Sequence, residues 1–546
     1  MRPAHPDRPS KPLLIVGWDG ATPELLAPWM ADGTLPNLAA LAQRGSYSPL
    51  RSLIHPLSPA AWTSAMTGLG PGRHGVWDFG HIRPGTYTVE PTTGAQRKGS
   101  TVWEIADECG LRSVVGNVPL SYPCRPFRGA YVPGLGATSL AGTTHPPSIG
   151  GLIEQTVPDY RIDSNIYEHT APADFLASVE RMVEARTTVF EDLLRREQPD
   201  LFVGVYVSTD RVQHAFWKQA NHPWLDGQRA GWAFASAIKD CYVQLDAALG
   251  RLIAACPGDP TVMVISDHGF GDLDGDLYLN SVLEDMEVLR VSHRSREQRG
   301  RGGRFGGLVR RFTNGGDGTD EADSAEAPCF GDIDWHQTQA YARGLFGNIW
   351  LNLRGREPHG QVEPGPDAEV LLDRISERLL ALREPGSHSV PLIDAVFRGQ
   401  DLFRGDGGGP VDGAPDLVVV PRDYRWMTRS GREIGAQGCL TCDPAIRHTG
   451  NHRMNGVLVA GGPGITVGAP AELRRLIDVT PTALALLGIE VPRSLDGKPM
   501  SSLMSCDNGW TDDVPVWEPL PQDPSSDEPS AEALAEQLKG LGYLAP

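Results

Sequence analysis

The chain has little cysteine, no long apolar run and a shortage of positive charge. Eight cysteines, at 109, 124, 241, 256, 329, 439, 442 and 506, are scattered through 546 residues. That usage excludes a disulfide-framed scaffold. Cys439 and Cys442 form a CxxC with no second pair after it, and they read as two free thiols in a loop rather than a metal clip or a redox pair. No segment approaches the roughly 18 apolar residues of a membrane span. The opening MRPAHPDRPSKPLLIVGWDG lacks the apolar core of a signal peptide, so a reducing, cytoplasmic setting is the expectation. Lys and Arg number 49 against 68 Asp and Glu, a net charge of −19. This speaks against a binder of nucleic acid or of anionic membranes, both of which reward excess positive charge. It does not exclude a small anionic substrate, because a bound cation inverts the field locally.

What is present is a globular pattern. The apolar share is 40%, and the length allows one large core or two to three domains. LLIVGW (Leu13–Trp18), LFVGVYV (Leu201–Val207) and TVMVIS (Thr261–Ser266) are short apolar runs rich in β-branched residues, which predicts buried strands. Between them, apolar residues recur at helical spacing from Phe175 to Leu194 and from Trp232 to Ile253. Strands buried on both sides and alternating with amphipathic helices predict an α/β fold, with a mostly parallel central sheet flanked by helices on both faces. The regularity lapses over 120–170 and 290–345, which read as cap or insert segments. Within the latter, Arg294 to Ala327 passes from a Gly-rich basic block to an acidic one. It reads as a solvated loop, with a basic lid over an anionic substrate as the alternative. The catalytic unit is expected over 11–505, followed by a polar tail, 506–546, with a short docking helix in LAEQLKGLGYL.

Each predicted strand ends on chemistry. Asp19 follows the first; STDRVQHAF, carrying Asp210 and His214, follows the second; Asp267 and His268 end the third. In an open α/β sheet, ligands bind at the carboxyl ends of parallel strands. Three carboxylates and two imidazoles therefore meet at one rim, with Asp210 and His214 sharing a helix face at i and i+4. Like charges gathered there repel unless a cation sits among them. Mixed Asp and His donors suit zinc, with manganese as the alternative. The segment HPLSPAAWTSAMTGLGPGRHG supplies four hydroxyls, Ser58, Thr63, Ser64 and Thr67, any of which a divalent metal would activate as a nucleophile.

These motifs resemble the alkaline phosphatase superfamily, specifically its type I phosphodiesterase/nucleotide pyrophosphatase branch, and within it the bacterial phosphohydrolase- and phosphomutase-like members. The resemblance runs from VGWDG through LSPAAWTSAMTGLGPGRHGVWDF, DRVQHAFW, ISDHGFG and GNHRMNGVLVAGGPGI to DVTPTALALLGIEVPRSLDGKPM. It implies two zinc ions, one held by Asp19, Asp267, His268 and a nucleophile oxygen, the other by Asp210, His214 and a later histidine. In relatives the nucleophile precedes the Thr of a Thr-Gly pair by nine residues, which selects Ser58. The later histidine is taken as His452, with His448 as the rival. His74 and Trp62 belong to the motif and are read as packing residues. Asp78 stands where nucleotide pyrophosphatases carry a phosphate-contacting Asn, which puts nucleotide diesters in doubt. SPAAW lacks the sulfatase spacing and its Arg. Arg343 and Asn348 are candidates to contact a polar head group, with structural roles as the alternative.

The implied activity is metal-dependent hydrolysis of phosphoric esters on a small phosphorylated substrate, through a phosphoserine. Transfer to another acceptor, as in phosphotransferases and phosphomutases, would use the same residues. A silent binding protein on this scaffold is the reading from a different class.

Overall fold

Eight short strands, the central ones almost wholly apolar, associate because none can satisfy its backbone or hide its side chains alone. The structure, a computed structural model, describes residues 11–164, 166–220, 234–291, 333–387, 389–405, 411–429, 439–441, 448–505, 510–511 and 531–540. The main sheet comprises β1 (Leu13–Trp18), β2 (Gly45–Arg51), β3 (Ser113–Gly116), β4 (Gly129–Val132), β5 (Leu201–Tyr206), β6 (Thr261–Ile265), β7 (Asn455–Gly461) and β8 (Arg474–Arg475). Their order is β8-β2-β7-β6-β1-β5-β3-β4. Neighbours pair in parallel except β7, which runs against both β2 and β6. The central strands β1, β5 and β6 are buried at every position. Each fully buried Val, Leu or Ile there contributes about 1.5–3 kcal/mol of transfer free energy.

The helix Pro172–Glu197 starts on a proline at its first turn and ends where Gln198 turns left-handed. Its stripe Phe175, Val179, Met182, Val183, Phe190, Leu193 and Leu194 is buried. The polar break in that stripe, Arg186, is buried too, and it donates to the Val205 and Ile162 carbonyls at 2.9 and 2.7 Å. The second long helix spans Ala237–Ala255; the earlier start expected at Trp232 lies outside the described residues.

Within 120–170, Gly129–Val132 joins the main sheet as its edge strand β4 and Ser148–Thr156 forms a helix. Residues 292–332 lie outside the described residues, so the basic-then-acidic block does as well. Ala340–Arg343, Asn348–Leu351, Leu417–Pro421 and Ile393–Arg398 form a separate antiparallel sheet. It has its own apolar cluster, shared with the helix Pro366–Leu380. A smaller cluster joins Leu57, Leu345, Phe346 and Tyr424 with Leu534 and Leu538 of the C-terminal helix Ala531–Gly540. Among the described residues no helix is long and apolar enough to cross a membrane. Cys439 is half-buried and in no disulfide; Cys442 lies outside the described residues.

Candidate active site

Chain direction gathers the polar residues. The three central strands β6, β1 and β5 are parallel neighbours, so Asp267 with His268, Asp19, and the helix Ser208–Phe216 leave the sheet at one rim. The opposite run of β7 brings its amino end to that same rim. Just before it, Gly450–Arg453 pairs antiparallel with Gly269–Asp272, setting His452 opposite Phe270. The loop after β2 leads to the helix Ser58–Thr67, with Ser58 at its first position. Two glycines make the approach possible. Gly20 takes a left-handed φ of +70° in the turn after Asp19. A Cβ on Gly17 would stand 2.4 Å from the Trp62 ring, which crosses β1 there.

Two groups of donor atoms result. His268 Nε2 lies 3.5 Å from Asp19 Oδ1, 3.4 Å from Asp267 Oδ2 and 3.2 Å from Ser58 Oγ. Asp210 Oδ1 lies 3.3 Å from His214 Nε2 and 3.2 Å from His452 Nε2, which are themselves 3.0 Å apart. The groups meet where His268 Nε2 is 4.0 Å from Asp210 Oδ1 and its ring stacks on His452 at 3.6 Å. All six of these Asp and His residues are buried.

The orientation of these donors is consistent. Each carboxylate has one oxygen held by a protein donor: Asp19 Oδ2 by the Trp62 indole at 2.8 Å, Asp267 Oδ1 by the Gly20 amide at 3.2 Å, and Asp210 Oδ2 by Arg211 at 2.6 Å. The other oxygen of each is buried and takes no well-aligned hydrogen bond. Each histidine commits Nδ1 to a backbone carbonyl: His214 to Gly450, His268 to Gly269 and His452 to Pro56, at 3.0, 3.0 and 2.7 Å. That leaves every Nε2 lone pair facing the same space. A metal-ligating histidine is oriented in this way, with its second nitrogen spent on a carbonyl. Four donors about 2.1 Å from one tetrahedral ion stand roughly 3.4 Å from one another. The residues therefore fit divalent ions on donor chemistry, orientation and spacing.

The electrostatics agree. Burial, then Asp267 and Asp210, push Asp19 well above the usual carboxylate range. Burial pushes Asp267 up to about 7. Burial also acts to raise Asp210, but His214, His452 and Arg211 hold it well below its ordinary value. Burial, followed by His452, lowers His268 to about 4, so it is neutral and able to donate a lone pair. Without a cation, three carboxylates this close do not all ionise.

Of the four hydroxyls, Ser58 alone reaches the donor groups. Thr63 and Thr67 donate to the carbonyls of Pro59 and Thr63, both at 2.7 Å, and Ser64 pairs with His74 at 2.8 Å. His448 stacks against the outer side of the His214 ring, centroids 4.1 Å apart, while His452 faces Asp210. His74 is packed under the helix, lowered to about 3 by burial. Trp62 is more than packing, because its indole N–H positions Asp19. Its place one helical turn after Ser58, on the same face, was the available signal. Arg343 donates to the Gly80 carbonyl at 3.0 Å and lies over the Trp350 ring at 4.1 Å, which is a structural role. Asp78 accepts from the Phe79 amide at 2.7 Å, and its other oxygen abuts Gly344. Burial raises it to about 6. Arg211, which binds the Asp210 carboxylate, carries no motif signal.

A parallel sheet with buried carboxylates and imidazoles converging on a serine at its carboxyl rim defines an α/β enzyme of the alkaline-phosphatase-like class. The chain belongs to the type I phosphodiesterase/nucleotide pyrophosphatase family, whose model matches residues 13–452. It is thus a hydrolase of phosphoric esters or related phosphorus bonds, in a superfamily that depends on metal ions. No curated protein matches it. Among solved structures it is similar to phosphonoacetate hydrolase from Sinorhizobium meliloti 1021 in complex with phosphonoacetate. That likeness has 16% identity and a TM-score of 0.55, and covers 88% of this chain and 96% of the other. The same enzyme in complex with phosphonoformate gives a TM-score of 0.51 at the same identity and coverage. At that identity the likeness speaks for the fold.

Proposed function

We propose that the chain hydrolyses small phosphoric esters through Ser58, with Asp19, Asp267 and His268 holding one zinc ion and Asp210, His214 and His452 a second. One observation carries this reading: three carboxylates each keep one buried oxygen free of a well-aligned hydrogen bond, three imidazoles each commit Nδ1 to a carbonyl and leave Nε2 for a cation, and His268 Nε2, where the two groups meet, stands 3.2 Å from Ser58 Oγ. Bound divalent ions would supply positive charge and Lewis acidity to the serine and phosphoryl oxygens.

The rest of the chemistry lies in the chain. Ser58 opens a ten-residue helix, whose first amides lack intrahelical partners and favour negative charge on the hydroxyl oxygen and on an incoming phosphoryl group. Its hydroxyl stands 3.2 Å from His268 Nε2, which is kept neutral by burial. Ser58 Oγ attacks phosphorus in line with the ester oxygen, the P–O bond to that oxygen breaks, and the alcohol leaves with a proton. Water then attacks the phosphoserine, restoring the hydroxyl and releasing the phosphoryl group as a phosphate. Net, one ester and one water become one alcohol and one phosphate. Phe270 and Phe346 flank His452, with ring centroids at 5.7 and 5.4 Å, and shield its imidazole from water.

The test is acid quenching of zinc-loaded protein during turnover of a chromogenic ester, followed by peptide mass spectrometry. Phosphate on Ser58, absent in Ser58→Ala along with at least about a thousandfold of turnover, supports the reading. Unmodified Ser58 together with wild-type turnover in Ser58→Ala removes it.

A further inference from the structure

Three carboxylates face the donor cluster, and their outward oxygens are held by unlike groups. Asp19 has a neutral indole and Asp267 a backbone amide; Asp210 has a guanidinium. A carboxylate rotates about a broad, nearly two-fold torsion, so the group behind it decides which oxygen faces inward. Arg211 follows Asp210 directly in the helix Ser208–Phe216, where neighbouring side chains diverge. Its guanidinium still reaches back to Asp210 Oδ2. What holds it there is Asp163, which takes hydrogen bonds from Arg211 Nε at 3.0 Å and Nη2 at 2.7 Å. The two side chains are 7% and 4% exposed.

Asp163 comes from the 120–170 segment, where the alternation of strand and helix lapses. That stretch is pinned above the sheet by Arg186 on the Ile162 carbonyl and by the Tyr160 hydroxyl on Asn117. A planar fork can hold two carboxylates at fixed geometry, whereas an ammonium is a point charge.

We infer that Arg211 is a positioning residue for Asp210 and that Asp163 fixes Arg211, so that the loop around residue 163 sets how tightly the Asp210, His214 and His452 group binds its ion. The inference rests on the metal reading of that group. It assigns the loop a role in metal affinity, distinct from covering the substrate.

Metal-free full-length protein is titrated with Zn²⁺ against a chromophoric chelator, for wild type, Arg211→Lys and Asp163→Asn. Co²⁺ absorption serves as a second readout of ligand geometry. Expected is a weakening of one of two binding steps by about 10–100-fold in Arg211→Lys, and a smaller loss of that same step in Asp163→Asn, with the other step unchanged and an altered Co²⁺ spectrum. If Arg211→Lys does not fold, Asp163→Asn, which leaves the contact to Asp210 in place, decides alone. Wild-type affinities at both steps, or equal losses at both, overturn the inference. A wild-type chain that binds no ion sinks the reading of the cluster itself.

Discussion

The two halves of the donor cluster are built from different local structure. Asp19, Asp267 and His268 lie within three residues of the ends of β1 and β6, parallel neighbours in register, so two main-chain strands fix them. Asp210 and His214 share one helix face, and their third member, His452, arrives from a ribbon 238 residues further along than His214. The first half has two carboxylates held by neutral donors; the second has one, held by an arginine. A strand-end half is preorganised once the sheet forms. A helix-plus-ribbon half depends on side-chain contacts that a single substitution can loosen.

Three outcomes sharpen or break that comparison. The largest concerns the second half: His214→Asn is expected to lower bound zinc from two ions to one per chain and to reduce turnover by at least about a hundredfold, as loss of one of two clamping ions implies. Elemental analysis of dialysed protein checks it, and retention of two ions counts against the division into halves.

The next concerns pH in the metal-free protein. Asp267 is raised to about 7 from an ordinary 3.8. The folded chain therefore keeps a proton that the unfolded chain has lost. The stability this brings is present in full below about pH 4 and is lost as pH rises through about 7. Buried His268, His74 and His55 work the other way, and their contribution is complete only about a unit above their ordinary 6.5. The Asp267 share is therefore read against Asp267→Asn, which lacks the titrating group. In metal-free protein the Tm difference between wild type and Asp267→Asn is expected to fall between pH 6.5 and 8, and a difference that rises with pH would contradict the assignment.

The smallest effect is Trp62→Phe, which removes the donor to Asp19 together with the far edge of the ring over Gly17. Zinc affinity is expected to drop about tenfold, at the binding step that His214→Asn leaves intact. Competition with a chelator reads both.

The sequence shows the alternation of apolar strands and striped helices directly, because burial on both faces leaves a continuous apolar run that nothing else in a soluble chain requires. The carboxylates and imidazoles at strand ends are legible for the same reason: a polar residue immediately after such a run has only the rim to occupy. Trp62 is half legible, since its place one helical turn after Ser58 puts it on the same face but does not say that its indole reaches Asp19; Arg211 is not legible, because an arginine beside an aspartate looks the same whether or not the two pair. His448 and His452 carry the same chemistry four residues apart, and only the pairing of Gly450–Arg453 with Gly269–Asp272 sets which one faces Asp210. The separate antiparallel sheet is not legible, because the hairpin Ala340–Arg343 and Asn348–Leu351 meets Leu417–Pro421 only across a long sequence separation, without an alternation of strand and helix to announce it.

Diffraction from zinc-soaked crystals, collected on either side of the zinc absorption edge, tests the central claim most directly. Two anomalous peaks about 4 Å apart, one among Asp19, Asp267, His268 and Ser58 and the other among Asp210, His214 and His452, are the predicted result. Peaks elsewhere, or none between these side chains, would contradict it.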